Sequence, residues 1–279
     1  MLAKILKYEF KTTARIFGLM YAGLVVLAGV NALVLLFQQN QDSGILAAAS
    51  AILLATFVLL AIGVFAATFI IIIIRFYRLL GDEGYLWFTL PPTAGQHIVG
   101  KFIVAFIWST ASGLMVIASV LIVTLPLGWT GQLHLISQGW NELVAMGFNA
   151  NLLLFASLIL ALFSGVSGIL MLYTAMAIGP VVTKSRFAGS VIACIIIYFV
   201  VQAVNIIPTI AMMVPVAPLI TDEALMTAGV DSLEMIQIAG YTNQVMLISL
   251  VAFGALYIAL SVVFFLLTRY FITKKLNLA

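Results

Sequence analysis

Few residues in this chain have the type and spacing to do chemistry, and almost all of them lie outside its long apolar runs. The segment Gly95-Gln-His-Ile-Val-Gly100-Lys101 has the GxxxxGK spacing of a phosphate-binding loop, in which backbone N–H groups cradle phosphates and the lysine neutralises them. Phe102 stands where such a loop needs Ser or Thr, no strand precedes it, and it runs directly into an apolar run. The match is therefore rejected. His97, inside it, has no second ligand nearby and reads as a solvated or interfacial side chain. Cys194 is the single cysteine and lies within GSVIACIIIYF. One thiol makes neither an internal disulfide nor a metal site, so it reads as a small buried hydrophobe. Gln202 and Asn205 share a helix face at i, i+3, and either hydrogen-bond between helices or line a substrate path. No catalytic set and no metal-ligand set emerges.

The apolar runs contain no Asp, Glu, Lys, Arg or His. A charge at a bilayer centre costs at least ~2.5–3.5 kcal/mol and is usually kept only for function. Its absence argues against a secondary carrier with a proton relay and against an intramembrane metalloprotease, which needs His and acid ligands. The polar groups that remain in the runs are small. They include Thr68, Ser109, Thr110, Ser112, Ser157, Ser164 and Ser167. Ser164-Gly-Val-Ser-Gly168 reads as a place for close helix packing.

The elements holding these residues follow from composition. Apolar residues make up 65% of the 279 and charged ones 8%, against about 25% charged in a soluble domain. The expected fold is an all-α integral membrane protein forming one transmembrane domain over residues 1–279. Six uncharged stretches, 16–37, 45–74, 102–127, 152–179, 187–214 and 244–268, are each long enough to cross roughly 30 Å of hydrocarbon as helices. The aqueous segments are too short to bury a core of their own. ATPase, kinase or protease activity is thus expected on another chain. The first apolar run exceeds a signal-peptide core and reads as a retained span.

Residues 1–15 are not a span. Lys4, Lys7, Lys11 and Arg15 fall in one helical sector about 80° wide, with Leu2, Ile5, Leu6 and Phe10 opposite. This is the pattern of an amphipathic helix at the inner-leaflet interface, and a plain juxtamembrane anchor has the same pattern. Glu9 falls on the apolar face and fits neither. With six spans, all 12 basic residues fall on one side. The other side carries Asp42, Glu142, Asp222, Glu223, Asp231 and Glu234. The positive-inside rule then puts both termini and residues 75–101 in the cytoplasm. The outer connections around 128–151 and 215–243 read as partly buried interfacial segments. Thr221 before Asp222-Glu223, and Asp231 before Glu234, mark short helices in the latter. Pro208 and Pro215 are expected to kink or end the fifth span.

Residues 81–101, GDEGYLWFTLPPTAGQHIVGK, form the most polar stretch between two spans. Gly81 is a natural helix stop, Asp82-Glu83 favour a new start, Pro91-Pro92 ends it, and Thr93 with Gln96 caps the next helix. A short helix at 82–90 carrying Tyr85, Trp87, Phe88 and Leu90 serves either as a lever for a cytoplasmic partner or as an interfacial re-entry with its aromatics in headgroups.

The block Arg75–Lys101 resembles the first cytoplasmic connection of type-two ABC transporter permeases. The matching residues are Glu83-Gly84, Leu90-Pro91, Ile98 and Gly100-Lys101. The opening MLAKILKYEFKTTARIF is similar to that family's basic N-terminal segment. After Pro91 the chain departs from the pattern, with Pro92-Thr93-Ala94 where many relatives have a basic residue. The resemblance implies a multi-pass subunit of the bacterial cytoplasmic membrane, paired with a second permease (identical or not) and with cytoplasmic ATPase subunits. ATP and magnesium would sit on the ATPase, with no cofactor, metal or catalytic residue on this chain. Asp82, Glu83, Gly84, Tyr85, Leu86, Trp87, Phe88, Leu90 and Pro91 would be the coupling segment. An amphipathic or lipid-like substrate would move outward. Membrane lipid is a further expected partner and nucleic acid is not. The competing readings are a non-transporting scaffold or sensor subunit and a secondary carrier.

Overall fold

The computed structural model describes residues 2–40, 44–80, 94–145, 147–183, 185–221 and 232–274. Among the described residues there are seven α-helices and no strand. They are α1 (Leu2–Asn40), α2 (Gly44–Leu80), α3 (Ala94–Thr124), α4 (Trp129–Ala145), α5 (Ala150–Val182), α6 (Arg186–Thr221) and α7 (Ser232–Lys274). A short 3-10 turn at Leu125–Leu127 follows α3 and leaves through Gly128 at φ 83°, a conformation that favours glycine. Six helices, all but α4, are long and apolar enough to cross a membrane. They coincide with the six uncharged stretches but extend past them. A backbone hydrogen-bond ladder does not stop where the first charged side chain appears.

Four local expectations change. Residues 2–15 are not a separate element; they form the first turns of the continuous helix α1. Pro208 and Pro215 do not end α6, which runs on to Thr221. A proline removes one donor and crowds one turn, which a long helix tolerates. The Asp231–Glu234 signal does not mark a short helix, because Glu234 lies in the first turn of the 43-residue α7. Residues 222–231 lie outside the described residues. Finally, the connection near 128–151 is mostly the 17-residue helix α4, with Leu133, Ile136 and Val144 exposed.

The chain divides into two compact units, built on Met1–His134 and Leu135–Leu276. In the first, α1 and α3 run parallel and α2 runs antiparallel to both. Partners show the directions: Glu9 meets Lys101 and Arg75, while Tyr21 and Thr68 both meet Ser112. Leu24 and Ala28 of α1, Phe57 and Val64 of α2, and Val123 of α3 form its core. The second unit repeats the pattern, with α5 parallel to α7 and α6 antiparallel to α5. Asn149 at the start of α5 donates its N–H to Asn243 of α7, and Thr174 of α5 bonds Thr268 of α7 at 3.0 Å. Its buried side chains include Leu170, Tyr173, Met176 and Phe264.

Within Ser164–Gly168, Ser167 is buried, but the tightest backbone approach lies elsewhere. Gly168 has open space where a Cβ would sit. At the α5–α6 corner, by contrast, a Cβ on Gly179 would lie 2.6 Å from the Ser190 nitrogen, and one on Gly189 would collide with the Gly179 carbonyl. Here the two backbones touch.

The outward faces are apolar. Leu19, Leu59, Ile207 and Val251 are each about 70% exposed. At most 22% of the most apolar window of any of the six long helices is buried. Such surface is stable only against lipid, so the chain has the architecture of a multi-pass helical membrane protein.

Candidate functional site

The site grows from the residue that the amphipathic pattern of α1 left unexplained. Glu9, Thr13 and Phe17 follow one another at four-residue spacing, so they stack along one face of the helix. All three are buried. Lys4, Lys7, Lys11 and Arg15 occupy the opposite, exposed face. The apolar side of this segment therefore packs on protein, chiefly on α3.

The Glu9 carboxylate bridges three helices. One oxygen is 2.7 Å from Arg75 Nη2 near the end of α2, and the other is 2.9 Å from Lys101 Nζ in the third turn of α3. Lys101 also donates to the Arg75 carbonyl at 3.2 Å. Both carboxylate oxygens are thus held by cations, in a cluster only partly accessible to water. Side-chain exposure is 10% for Glu9, 13% for Lys101 and 25% for Arg75. His97, expected to be solvated or interfacial, is 1% exposed, one turn before Lys101.

Two further polar tiers continue the seam. Thr13 donates its hydroxyl to the Glu9 carbonyl at 2.8 Å and accepts the indole N–H of Trp108 at 2.8 Å. Phe17 stacks on Trp108 with centroids 4.3 Å apart and planes 8° from parallel. Above this, Tyr21 and Thr68 each lie 2.8 Å from the Ser112 hydroxyl. Thr68 donates to the Val64 carbonyl at 2.7 Å. Tyr21 also lies 3.4 Å from the Trp108 carbonyl, which accepts from it, and the three hydroxyls link α1, α3 and α2 through Ser112.

A pocket of about 290 Å³ opens beside the ion cluster, lined by Thr12, Ile16, Ile71, Ile74, Arg75, Arg78, Leu79 and Lys101 as well as Glu9. The second unit holds a larger, mostly apolar cavity of about 450 Å³ between α4, α5 and α7. Trp140, Leu143, Leu154, Met246 and Phe253 line it, with Ser157 and Ser249 as its hydroxyls.

The other sequence candidates fall apart from the cluster. Gln202 and Asn205 meet each other at 3.4 Å, and Gln202 donates to Tyr198 at 3.2 Å. Thr209 donates to the Asn205 carbonyl at 2.7 Å. Among the described residues, these bonds form a polar ladder along α6 itself. The coupling residues Asp82, Glu83, Gly84, Tyr85, Leu86, Trp87, Phe88, Leu90 and Pro91 lie outside the described residues. Sequence reasoning missed the Glu9–Arg75–Lys101 cluster. Its signal was an acid on an apolar face, which requires a buried cation. Comparison with known protein families, curated proteins and solved structures finds no match for this chain.

Proposed function

We propose that this chain is the permease subunit of an ATP-driven exporter of the ABC class, which moves an amphipathic or lipid-like substrate out of the cytoplasm. The reading starts from the 75–101 block and from the segregation of all 12 basic residues to one side of the six spans. The observation that carries it is the Glu9 clamp. Residues 82–90, taken as a coupling helix for a cytoplasmic ATPase, join α2 to α3. Arg75 and Lys101 flank that connection and are both tied to Glu9 of α1. A push on the connection is therefore delivered to three helices together. The apolar cavity of the second unit supports the substrate class, since its size lies within the range of ligand pockets and its walls offer two hydroxyls and no charge. ATP hydrolysis is assigned to the partner chain.

The test is co-purification. The tagged chain, extracted in detergent with and without ATP, should bring down an ATPase subunit. Trp87→Ala should weaken that association about 30-fold, the effect of removing an aromatic anchor worth about 2 kcal/mol. Glu83→Ala should abolish substrate-stimulated hydrolysis while membrane insertion stays intact. A single-chain preparation that carries no ATPase and moves substrate down an ion gradient would replace this reading with a secondary carrier. Partner binding without ATP-dependent flux would make the chain a scaffold.

A further inference from the structure

The pocket beside the ion cluster has a chemistry that the clamp does not use. Three cations, Arg75, Arg78 and Lys101, face it against the single carboxylate of Glu9, which both Arg75 and Lys101 already engage. Arg78 is exposed and has no carboxylate partner among the described residues. Arg75 meets Glu9 through Nη2 and keeps further N–H donors. Apart from Thr12, the remaining wall is apolar. Ile16, Ile71 and Ile74 line it, with Ile16 and Ile74 each 48% exposed on helices that belong in hydrocarbon.

We infer that this pocket binds one anionic phospholipid, its phosphate held by Arg78 and Arg75 and the start of an acyl chain lying over Ile16, Ile71 and Ile74. A free anion would satisfy the guanidinium groups and leave the isoleucines uncovered. A zwitterionic lipid would bring its own cation up to a wall that, among the described residues, carries three cations and one carboxylate. An anionic phospholipid answers both surfaces at once. Basic pockets between membrane helices next to an anionic leaflet are suited to such headgroups. The inference rests on the six-span architecture and not on the export reading; failure to recover an ATPase leaves it intact.

The experiment is thermal unfolding of the full chain in a neutral detergent, followed by tryptophan fluorescence. Phosphatidylglycerol, phosphatidylcholine and inorganic phosphate are titrated separately. Phosphatidylglycerol should raise the midpoint saturably, and the other two should not. Arg78→Gln should weaken the apparent affinity about fivefold, the loss expected for one cation near an anionic leaflet. Arg78→Lys should keep most of it, and Lys11→Gln, an exposed cation on the far face of α1, should leave it unchanged. Comparing unliganded midpoints separates binding from folding. Equal stabilisation by phosphatidylcholine, reproduction of the shift by phosphate alone, or equal losses in Arg78→Gln and Lys11→Gln would each overturn the proposal.

Discussion

Glu9 is the residue whose removal should be felt most. Glu9→Gln leaves Arg75 and Lys101 close together with no counter-charge. Breaking a buried ion pair on one side costs about 3–5 kcal/mol, and the partial exposure of both cations places this case at the lower end. The midpoint of thermal unfolding in detergent should fall accordingly, and an unchanged midpoint would show that the cluster holds nothing together. Because the three groups act as a unit, Arg75→Gln in the Glu9→Gln background should cost much less than Arg75→Gln alone. At the next tier, Trp108→Phe keeps a smaller aromatic ring against Phe17 and removes the donor to Thr13. It should cost about 1 kcal/mol, the net value of one hydrogen bond. The sequence shows Glu9 as an acid in the wrong place on a helical wheel. It does not show which cations answer it, because that depends on the register between helices whose partners lie 92 residues apart.

Among the elements, the α5–α6 corner is the most sensitive to added volume. Gly189→Ala puts a methyl group into the Gly179 carbonyl and should destabilise by about 1–3 kcal/mol, the usual cost of overpacking. Gly168→Ala, about three turns before Gly179 on α5 and in open space, should be neutral or stabilise by up to about 1 kcal/mol, since alanine is the better helix former. Unfolding midpoints of the two variants, measured side by side, check the contrast. All six long helices were legible because an uncharged run of this length has one stable form in lipid. Their ends were not, since apolar periodicity says nothing about the polar turns beyond. For α4, WTGQLHLISQGWNELVA mixes Gln, His, Ser and Asn with its apolar residues too evenly to be recognised as a helix. The tightest glycine contact escaped the sequence for a related reason. Ser164–Gly168 and Gly179–Gly189 are both rich in small residues, and only the corner geometry decides which pair meets.

For the molecule as a whole, orientation is the property to establish first. Cys194 is the only cysteine, so a Cys194→Ser background accepts single reporter cysteines. Lys7→Cys and Lys184→Cys should react with an impermeant maleimide only from the cytoplasmic side. Gln41→Cys and Glu142→Cys should react in intact cells. Labelling of Lys184→Cys from outside would remove the basis for calling 75–101 cytoplasmic. Charge counting yields an expected sidedness from sequence alone, since it depends only on which connection a residue occupies. The three-helix grouping was not readable, because it depends on which long helices share polar partners. One consequence of that grouping concerns the order of synthesis. Glu9 is made 92 residues before Lys101, a delay of about 5–20 s at ordinary elongation rates. Arg75 of α2 is made 26 residues before Lys101, so the carboxylate meets one of its two cations while α3 is still unmade. The arrival of α3 supplies the second, so the cluster is assembled in two steps and is complete only when the third helix of the unit is in place.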